Sequence, residues 1–328
     1  MRIESHWQRH TLWPLLPFSA LFALLSGVRR FGFRLGWLKS TRLPVPVIVV
    51  GNITAGGAGK TPATLWLAAI LKARGCRPGI ISRGYGGSEA GPIAVPTHAD
   101  PARFGDEPSL IAARSICPIW IGRRRADAGH ALLAAHPDVN VLICDDGLQH
   151  YALDRDIEVL VIDGQRGFGN GWRLPAGPLR ESVSRGARCD VWIVNGSDQT
   201  GLPAHPYTYS MHLAPQHVYR LGQPDDSRPL SEFAGQQVHA VAGIGHPPRF
   251  FTTLVHAGLS VIEHPFPDHH AYTPQDIAAL TDAPVLVTEK DAVKLAGLNL
   301  PAGVRIWVVP VDAHIDPALA DLIDHRLR

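Results

Sequence analysis

The residues with the plainest chemical purpose are Lys60 and Thr61, which close the stretch Gly51-Asn-Ile-Thr-Ala-Gly-Gly-Ala-Gly-Lys-Thr-Pro62. Gly56, Gly57 and Gly59 let the backbone curl so that successive N–H groups point inward at an anion. A lysine placed here reaches the β- and γ-phosphates of a nucleotide, and the neighbouring hydroxyl can ligate Mg²⁺. Thr54, Ala55, Gly56, Gly57, Ala58, Gly59, Lys60 and Thr61 are therefore the candidate nucleotide contacts, with ATP and Mg²⁺ as the implied ligands. The usual loop pattern has glycine where this chain has Thr54. As a loop lysine, Lys60 is expected to be exposed and to matter more for turnover than for folding. A second constellation is Asp145-Asp146, which ends the apolar run Val139–Cys144. An apolar strand closed by an acid is the pattern of a Mg²⁺ ligand in nucleotide enzymes, and either aspartate fits it. A third is Asp106 in Gly105-Asp-Glu-Pro108, a general base or the cap of a helix over 108–114. The fourth is Phe266-Pro-Asp-His-His-Ala-Tyr272. It brings an acid and two imidazoles into one loop, where histidine serves as acid, base or orienter near neutral pH.

These side chains need a frame. The run Val45–Val50 reads as a strand before the glycine loop, and Ala63–Ala73 as a helix after it, the layout of a phosphate-binding loop. Further strands are expected at 79–82, 116–121, 139–144, 158–163 and 190–195, interleaved with helical segments. That alternation predicts a mostly parallel sheet covered on both faces, whose carboxyl strand ends gather the ligands. The loop 83–87 carries Arg83 and Tyr85, and Gly122 is followed by Arg123, Arg124 and Arg125. Adjacent arginines form either a solvated face or an anion site. The segment 170–181 is too rich in proline and glycine for regular structure, and long irregular loops tend to be functional. A polar connector with one or two short strands follows over 201–235. A second α/β unit over 236–328 opens with Val238–Ala242 and a glycine turn that lacks G-x-G-x-x-G, which argues against a dinucleotide site. A final strand is expected at 305–311.

The chain has 328 residues, 45% of them apolar and 18% charged, ample for two cores. Its net charge of +2 implies no bulk attraction to nucleic acid, and no such partner is expected. The charge is uneven. Residues 1–42 hold Arg2, Arg9, Arg29, Arg30, Arg34, Lys39 and Arg42 against Glu4, a net of +6 that leaves −4 for the rest. Thr11–Val28 has no charged residue, and Trp7, Trp13 and Trp37 surround it. A short apolar helix among tryptophans and arginines suits the membrane interface. Cys76, Cys117, Cys144 and Cys189 are scattered, as in a reduced cytosolic protein, not a disulfide or zinc framework. The expectation is thus an α/β protein with four parts. These are an N-terminal membrane-associated helix in 1–42, a nucleotide-binding core over 43–200, a linker over 201–235, and a smaller α/β domain over 236–328.

In this order the motifs resemble the tetraacyldisaccharide 4′-kinases, the membrane-associated lipid A kinases of Gram-negative bacteria. The matching segments are Gly51-Asn52 with Gly56–Pro62, Ser82–Gly86, Gly105–Pro108, Asp145–His150, Leu174–Glu181, Phe266–His269 and Thr288–Lys294. Thr54 is compatible with that family's loop, whereas His246 stands where asparagine would be expected. The resemblance implies transfer of the ATP γ-phosphate to the 4′-hydroxyl of a tetraacyldisaccharide 1-phosphate at the cytoplasmic face of the inner membrane. It further implies that Asp106 takes the sugar proton and His269 orients it. Arg83, Tyr85, Arg123 and Arg180 become candidates for the substrate or nucleotide phosphates. The competing reading is a switch ATPase of the partitioning or metal-insertion kind. Those proteins carry a lysine just before the paired glycines, where this chain has Ala55. A nucleotide-gated membrane adaptor is a non-enzymatic rival, but it would not need Asp106 or the loops around 175 and 268.

Overall fold

A computed structural model of the protein describes residues 7, 11–114, 117–215, 217–301 and 303–327. The expected charges at Arg2, Glu4 and Arg9, and the strand start at Ile116, lie outside them. In chain order the elements begin with α1 (Leu16–Arg34), β1 (Val47–Gly51), α2 (Lys60–Ala73), β2 (Pro78–Ser82), β3 (Ile93–Ala94), α3 (Pro101–Phe104) and α4 (Asp106–Ala113). They continue with β4 (Ile119–Ile121), α5 (Arg125–Ala135), β5 (Val141–Asp145), β6 (Ile157–Asp163), α6 (Val183–Gly186), β7 (Val191–Asn195), β8 (Thr208–Ala214), β9 (His217–Arg220) and β10 (Gln223–Pro229). The last part holds β11 (Gln237–Ala242), α7 (Pro247–His256), β12 (Ser260–Pro265), α8 (Pro274–Ala278), β13 (Val285–Thr288), α9 (Glu289–Leu295), β14 (Ile306–Val309), β15 (Asp312–Ile315) and α10 (Ala318–Leu327).

The larger sheet has the order β15-β8-β7-β6-β1-β5-β2-β4-β3. It is parallel from β8 to β4, with antiparallel strands only at its two edges. Because β1 lies at its centre, Val47–Val50 are buried on both sides, which is why the run carries no polar alternation. Ile48 and Val50 pack on one face with Leu67, Ala68 and Leu71 of α2. Val47 and Val49 face the other way with Ala126, Ala128 and Leu132 of α5.

The smaller sheet runs β10-β9-β14-β13-β11-β12, parallel from β14 to β12. Phe250, Phe251 and Leu254 of α7 cover one side, and Ile277 of α8 with Leu295 of α9 cover the other. The connector over 201–235 contains more structure than its polar composition announced. It supplies β8 to the larger sheet and β9 and β10 to the smaller. The single strand expected at 305–311 is two strands in two sheets. Pro310 has no N–H to continue the β14 ladder, and after it β15 pairs with β8, so the chain ends on the larger sheet with α10 packed near α2.

Helix α1 stands off the sheets. Only Ser19 and Gly32 are buried within it, and Ser19 Oγ donates to Arg173 O at 2.8 Å. Phe18, Leu21, Leu25, Val28 and Phe31 remain exposed at helical spacing. Among the described residues this is the one helix long and apolar enough to cross a membrane. Trp7 differs from the other tryptophans of the segment: it is buried, and its indole donates to Pro175 O at 3.0 Å.

Candidate active site

The carboxyl ends of β1, β5, β6 and β7 open into a cavity of about 730 Å³, closed from the other side by the smaller sheet. Gly56, Gly57, Ala58, Gly59, Lys60 and Thr61 all line it. Gly56 and Gly59 are the two positions that require glycine for their conformation, each at φ 94°. A β-carbon on Gly59 would also come within 2.6 Å of Asn195 Nδ2, while one on Gly57 would meet nothing. Thr54 and Ala55 are not brought into this cavity. Ala55 N donates to Pro178 O at 2.8 Å and Thr54 bridges to Leu179, so their backbone is committed to the proline-rich loop. They line a separate cavity of about 60 Å³.

Lys60 is buried, at 9% exposure, contrary to the expectation of an exposed loop residue. It opens α2 and points back beneath the loop, where Nζ donates to Asn52 Oδ1 at 3.4 Å and lies 3.6 Å from Asp146 Oδ1. The sequence marks Asn52 only within the matching pair Gly51-Asn52 and assigns it no role. It is fully buried and ties the loop together, donating from Nδ2 to Gly56 O at 3.2 Å.

The two aspartates at the carboxyl end of β5, Asp145 closing the strand and Asp146 following it, differ sharply. Asp145 is fully buried; its Oδ1 accepts from Thr64 Oγ1 at 2.9 Å and its Oδ2 has no hydrogen-bond partner. Burial first, then the charges of Glu107 and Asp146, push its pKa up to about 7. Asp146 lines the cavity at φ 47°. Burial would raise its pKa, but Lys60, Arg180 and Arg125 outweigh that and hold it below the usual range. The orphaned Asp145 oxygen, the cavity-lining Asp146 carboxylate and the Thr61 hydroxyl are hard oxygen donors of the kind that suits Mg²⁺. Among the described residues no three His, Cys, Asp or Glu side chains converge as a metal cage.

Opposite the loop, Asp106 is the first residue of α4, and Gly105 occupies the cap position without a side-chain cap bond. Its carboxylate turns to the other sheet instead. Oδ2 lies 2.9 Å from His269 Nδ1 and 3.5 Å from Lys294 Nζ. Burial raises the pKa of Asp106, but the His269 hydrogen bond and the charges of Lys294 and Lys290 more than offset it, leaving a net lowering. His269 faces the cavity from a left-handed φ of 59°, a conformation found at sites that over-determine their geometry. The Tyr85 ring meets it edge-on at 5.8 Å. His270 turns away to Asp276.

Of the four proposed phosphate or substrate contacts, Arg83, Tyr85 and Arg180 line the cavity and Arg123 does not. Arg125 takes that place: as the first residue of α5 it is buried and donates to Asp146 O at 3.1 Å. Neighbouring arginines look alike in sequence, and only the helix start decides which one points inward. Sequence reasoning also missed Asn195 and Arg249. Arg249 of α7 donates to Asn195 Oδ1 at 2.8 Å, and Asn195 Nδ2 donates to Ala58 O at 3.1 Å, so the smaller sheet grips the phosphate loop. Asn195 and Asp163 stand at the carboxyl ends of β7 and β6, the one sequence clue to their place. His246, the unexpected residue of the glycine turn, precedes α7 and lines the cavity.

A glycine loop at the end of a central parallel strand, a buried lysine and paired acids make this a phosphate-loop nucleotide-binding protein. The sequence model of the tetraacyldisaccharide-1-P 4′-kinase family matches residues 11–328. The tetraacyldisaccharide 4′-kinase of Dechloromonas aromatica (strain RCB) is 54% identical over 320 residues, spanning 97% of this chain and 93% of that one. The enzyme of the same name from Chromobacterium violaceum is 50% identical over 333 residues, covering 99% and 98%. The crystal structure of LpxK from Aquifex aeolicus in complex with ATP superposes with a TM-score of 0.80 at 28% identity, over 96% of this chain and 99% of that one. The chain belongs to the tetraacyldisaccharide 4′-kinase family. It is a kinase of lipid A biosynthesis, and the switch-ATPase alternative is not favoured.

Proposed function

We propose that the chain binds ATP and passes its γ-phosphate to the 4′-hydroxyl of a tetraacyldisaccharide 1-phosphate, forming lipid IVA. The observation that carries the roles below is the Asp106–His269 contact at 2.9 Å, whose histidine lines the same cavity as the phosphate loop. In this reading the loop N–H groups and Lys60 hold the nucleotide phosphates. Thr61 with Asp145 or Asp146 would hold Mg²⁺, which neutralises the charge that develops on the transferring group. Asp106 takes the proton of the acceptor hydroxyl, and His269 orients the carboxylate. Arg83, Tyr85, Arg180 and Arg125 bind substrate or nucleotide phosphates. The two sheets act as two domains that close over the reacting atoms. The exposed apolar face of α1, with Arg29, Arg30 and Arg34 at its end, rests on the cytoplasmic face of the inner membrane, where anionic headgroups attract it and the acyl chains stay buried. No nucleic-acid partner is proposed.

A second reading makes His269 the base and Asp106 its orienter, because His269 is the member of the pair that lines the cavity. Phosphate transfer from labelled ATP to the tetraacyldisaccharide in detergent micelles separates the two. With Asp106 as base, Asp106→Ala loses about 10³-fold in kcat and His269→Ala about tenfold, with ATP binding retained in both. The reverse order assigns the base to His269. Near-normal transfer in both variants removes the pair from the chemistry.

A further inference from the structure

We infer that Lys294 is a positioning residue of the phosphoryl transfer: reaching over from α9, it holds Oδ2 of Asp106 in place and leaves the other carboxylate oxygen for the acceptor hydroxyl. The inference rests on the proposal that Asp106 takes part in the proton transfer. Lys294 is held on several sides. Its side chain is 9% exposed, and Nζ lies 3.5 Å from Asp106 Oδ2 and 3.4 Å from Asp291 Oδ1. It donates to His270 O at 3.3 Å and sits 5.4 Å from the centre of the Tyr272 ring.

Asp291, its anchor, is fully buried; its Oδ2 accepts from Gly243 N at 3.1 Å and Thr288 Oγ1 at 2.6 Å, and its Oδ1 accepts from the Lys294 ammonium at 3.4 Å. The ammonium is thus pinned to a rigid anion of its own helix and offers its remaining reach to Asp106. His269 Nδ1 and Lys294 Nζ both approach Oδ2, and neither takes Oδ1.

The helices themselves set this reach. Asp106 opens α4 and Lys294 lies in the last turn of α9. At the other end of the pair, Arg114 at the α4 carboxyl end donates from Nε and a terminal nitrogen to the two oxygens of Glu289, each at 2.7 Å. Glu289 opens α9. The helices therefore lie antiparallel with an ion pair at each end, and the Arg114–Glu289 fork fixes the register that delivers Lys294 to Asp106. A bidentate fork constrains direction, whereas a lysine supplies a compact charge on a flexible stem. The charged groups that act on Asp106 are Lys294 and Lys290 from α9 and His269 from the loop after β12; behind them Asp291 pairs with Lys294 and Asp268 lies 3.8 Å from His269. Asp268 is itself paired with Lys290 at 3.1 Å.

The test is a steady-state comparison of the full chain with Lys294→Met, Lys294→Arg and the double variant Lys294→Met/Asp291→Asn, each with its melting curve. For Lys294→Met, kcat is expected to fall on the order of tenfold to a hundredfold, with KM for ATP within about twofold. The acid limb of the kcat profile moves to higher pH, because losing a cation favours protonated Asp106. Lys294→Arg restores part of both. The double variant removes the buried charge that Lys294→Met leaves unpaired, and so serves if the single variant does not fold. A folded variant with the wild-type acid limb and kcat overturns the inference. Asp106→Ala, run alongside, tells the two failures apart: if it keeps turnover, the Asp106 assignment falls and not only the part given to Lys294.

Discussion

The phosphate loop and His269, the partner of Asp106, line one cavity, yet the loop and the Asp106–His269 pair are built in opposite ways. The loop is contiguous. Gly51 to Thr61 join the central strand to the helix that covers it, and Asn52 and Lys60 bind the segment to itself. Asp106 and His269 are 163 positions apart and meet because α4 of one sheet lies against α9 of the other. A contiguous site keeps its geometry as long as its own strand and helix are packed. An assembled site keeps it only while the interface holds, and here Arg114, Glu289, Lys294 and Arg249 hold it. On the proposed roles, this ties the proton-transfer groups to the interface between the two sheets, so that the chemistry depends on their being held together.

The largest effect should come from breaking the contiguous half. Lys60→Ala is expected to lower kcat about 10³-fold, since it removes a pre-placed charge from the transferring phosphate. Because Lys60 is buried beside Asp146, the variant also loses stability. That loss stays below the roughly 3 kcal/mol of an orphaned buried charge, as Arg180 still lies 3.5 Å from the carboxylate. Denaturant melting and labelled transfer measure the two losses separately, and retained turnover would refute the phosphate-loop assignment.

Breaking the interface should look different. Arg114→Ala leaves Glu289 buried without its fork and should cost about 3 kcal/mol of stability. It should lower kcat while nucleotide affinity, which depends on the contiguous half, changes little. Equal losses in ATP affinity and kcat would show that the two halves are not separable.

The smallest effect sharpens the contrast at the border of the two regions. His150 follows the paired acids, and burial first, then Arg125, Arg155, Arg29 and Arg83, push its pKa down to about 4 from 6.5. The unfolded chain therefore binds the proton more readily, so stability present above pH 6.5 is lost as the pH falls toward 4. Discounted for partial exposure, the loss is about 1 kcal/mol. His150→Gln should flatten that part of the stability profile; an unchanged slope would mean that other groups dominate it.

The sequence by itself determined the parallel core and the phosphate loop, because both depend on neighbours in the chain. An unbroken Val47–Val50 run can sit only where both faces are covered, and glycines at 56 and 59 are demanded by a local turn. It also flagged Asp106 and His269 as chemically able residues, though nothing local says that they touch. Tertiary structure alone decided the rest. It chose Arg125 over Arg123 through the start of α5, buried Lys60, and withdrew Thr54 and Ala55 by pairing their backbone with the loop at 178–180. It sent β8 and β15 to the larger sheet although both lie beyond the expected boundary of its domain. These outcomes depend on which backbone and side-chain groups find partners across long stretches of chain. Residue type and spacing record that a group needs a partner, and only the packed fold settles which one it gets.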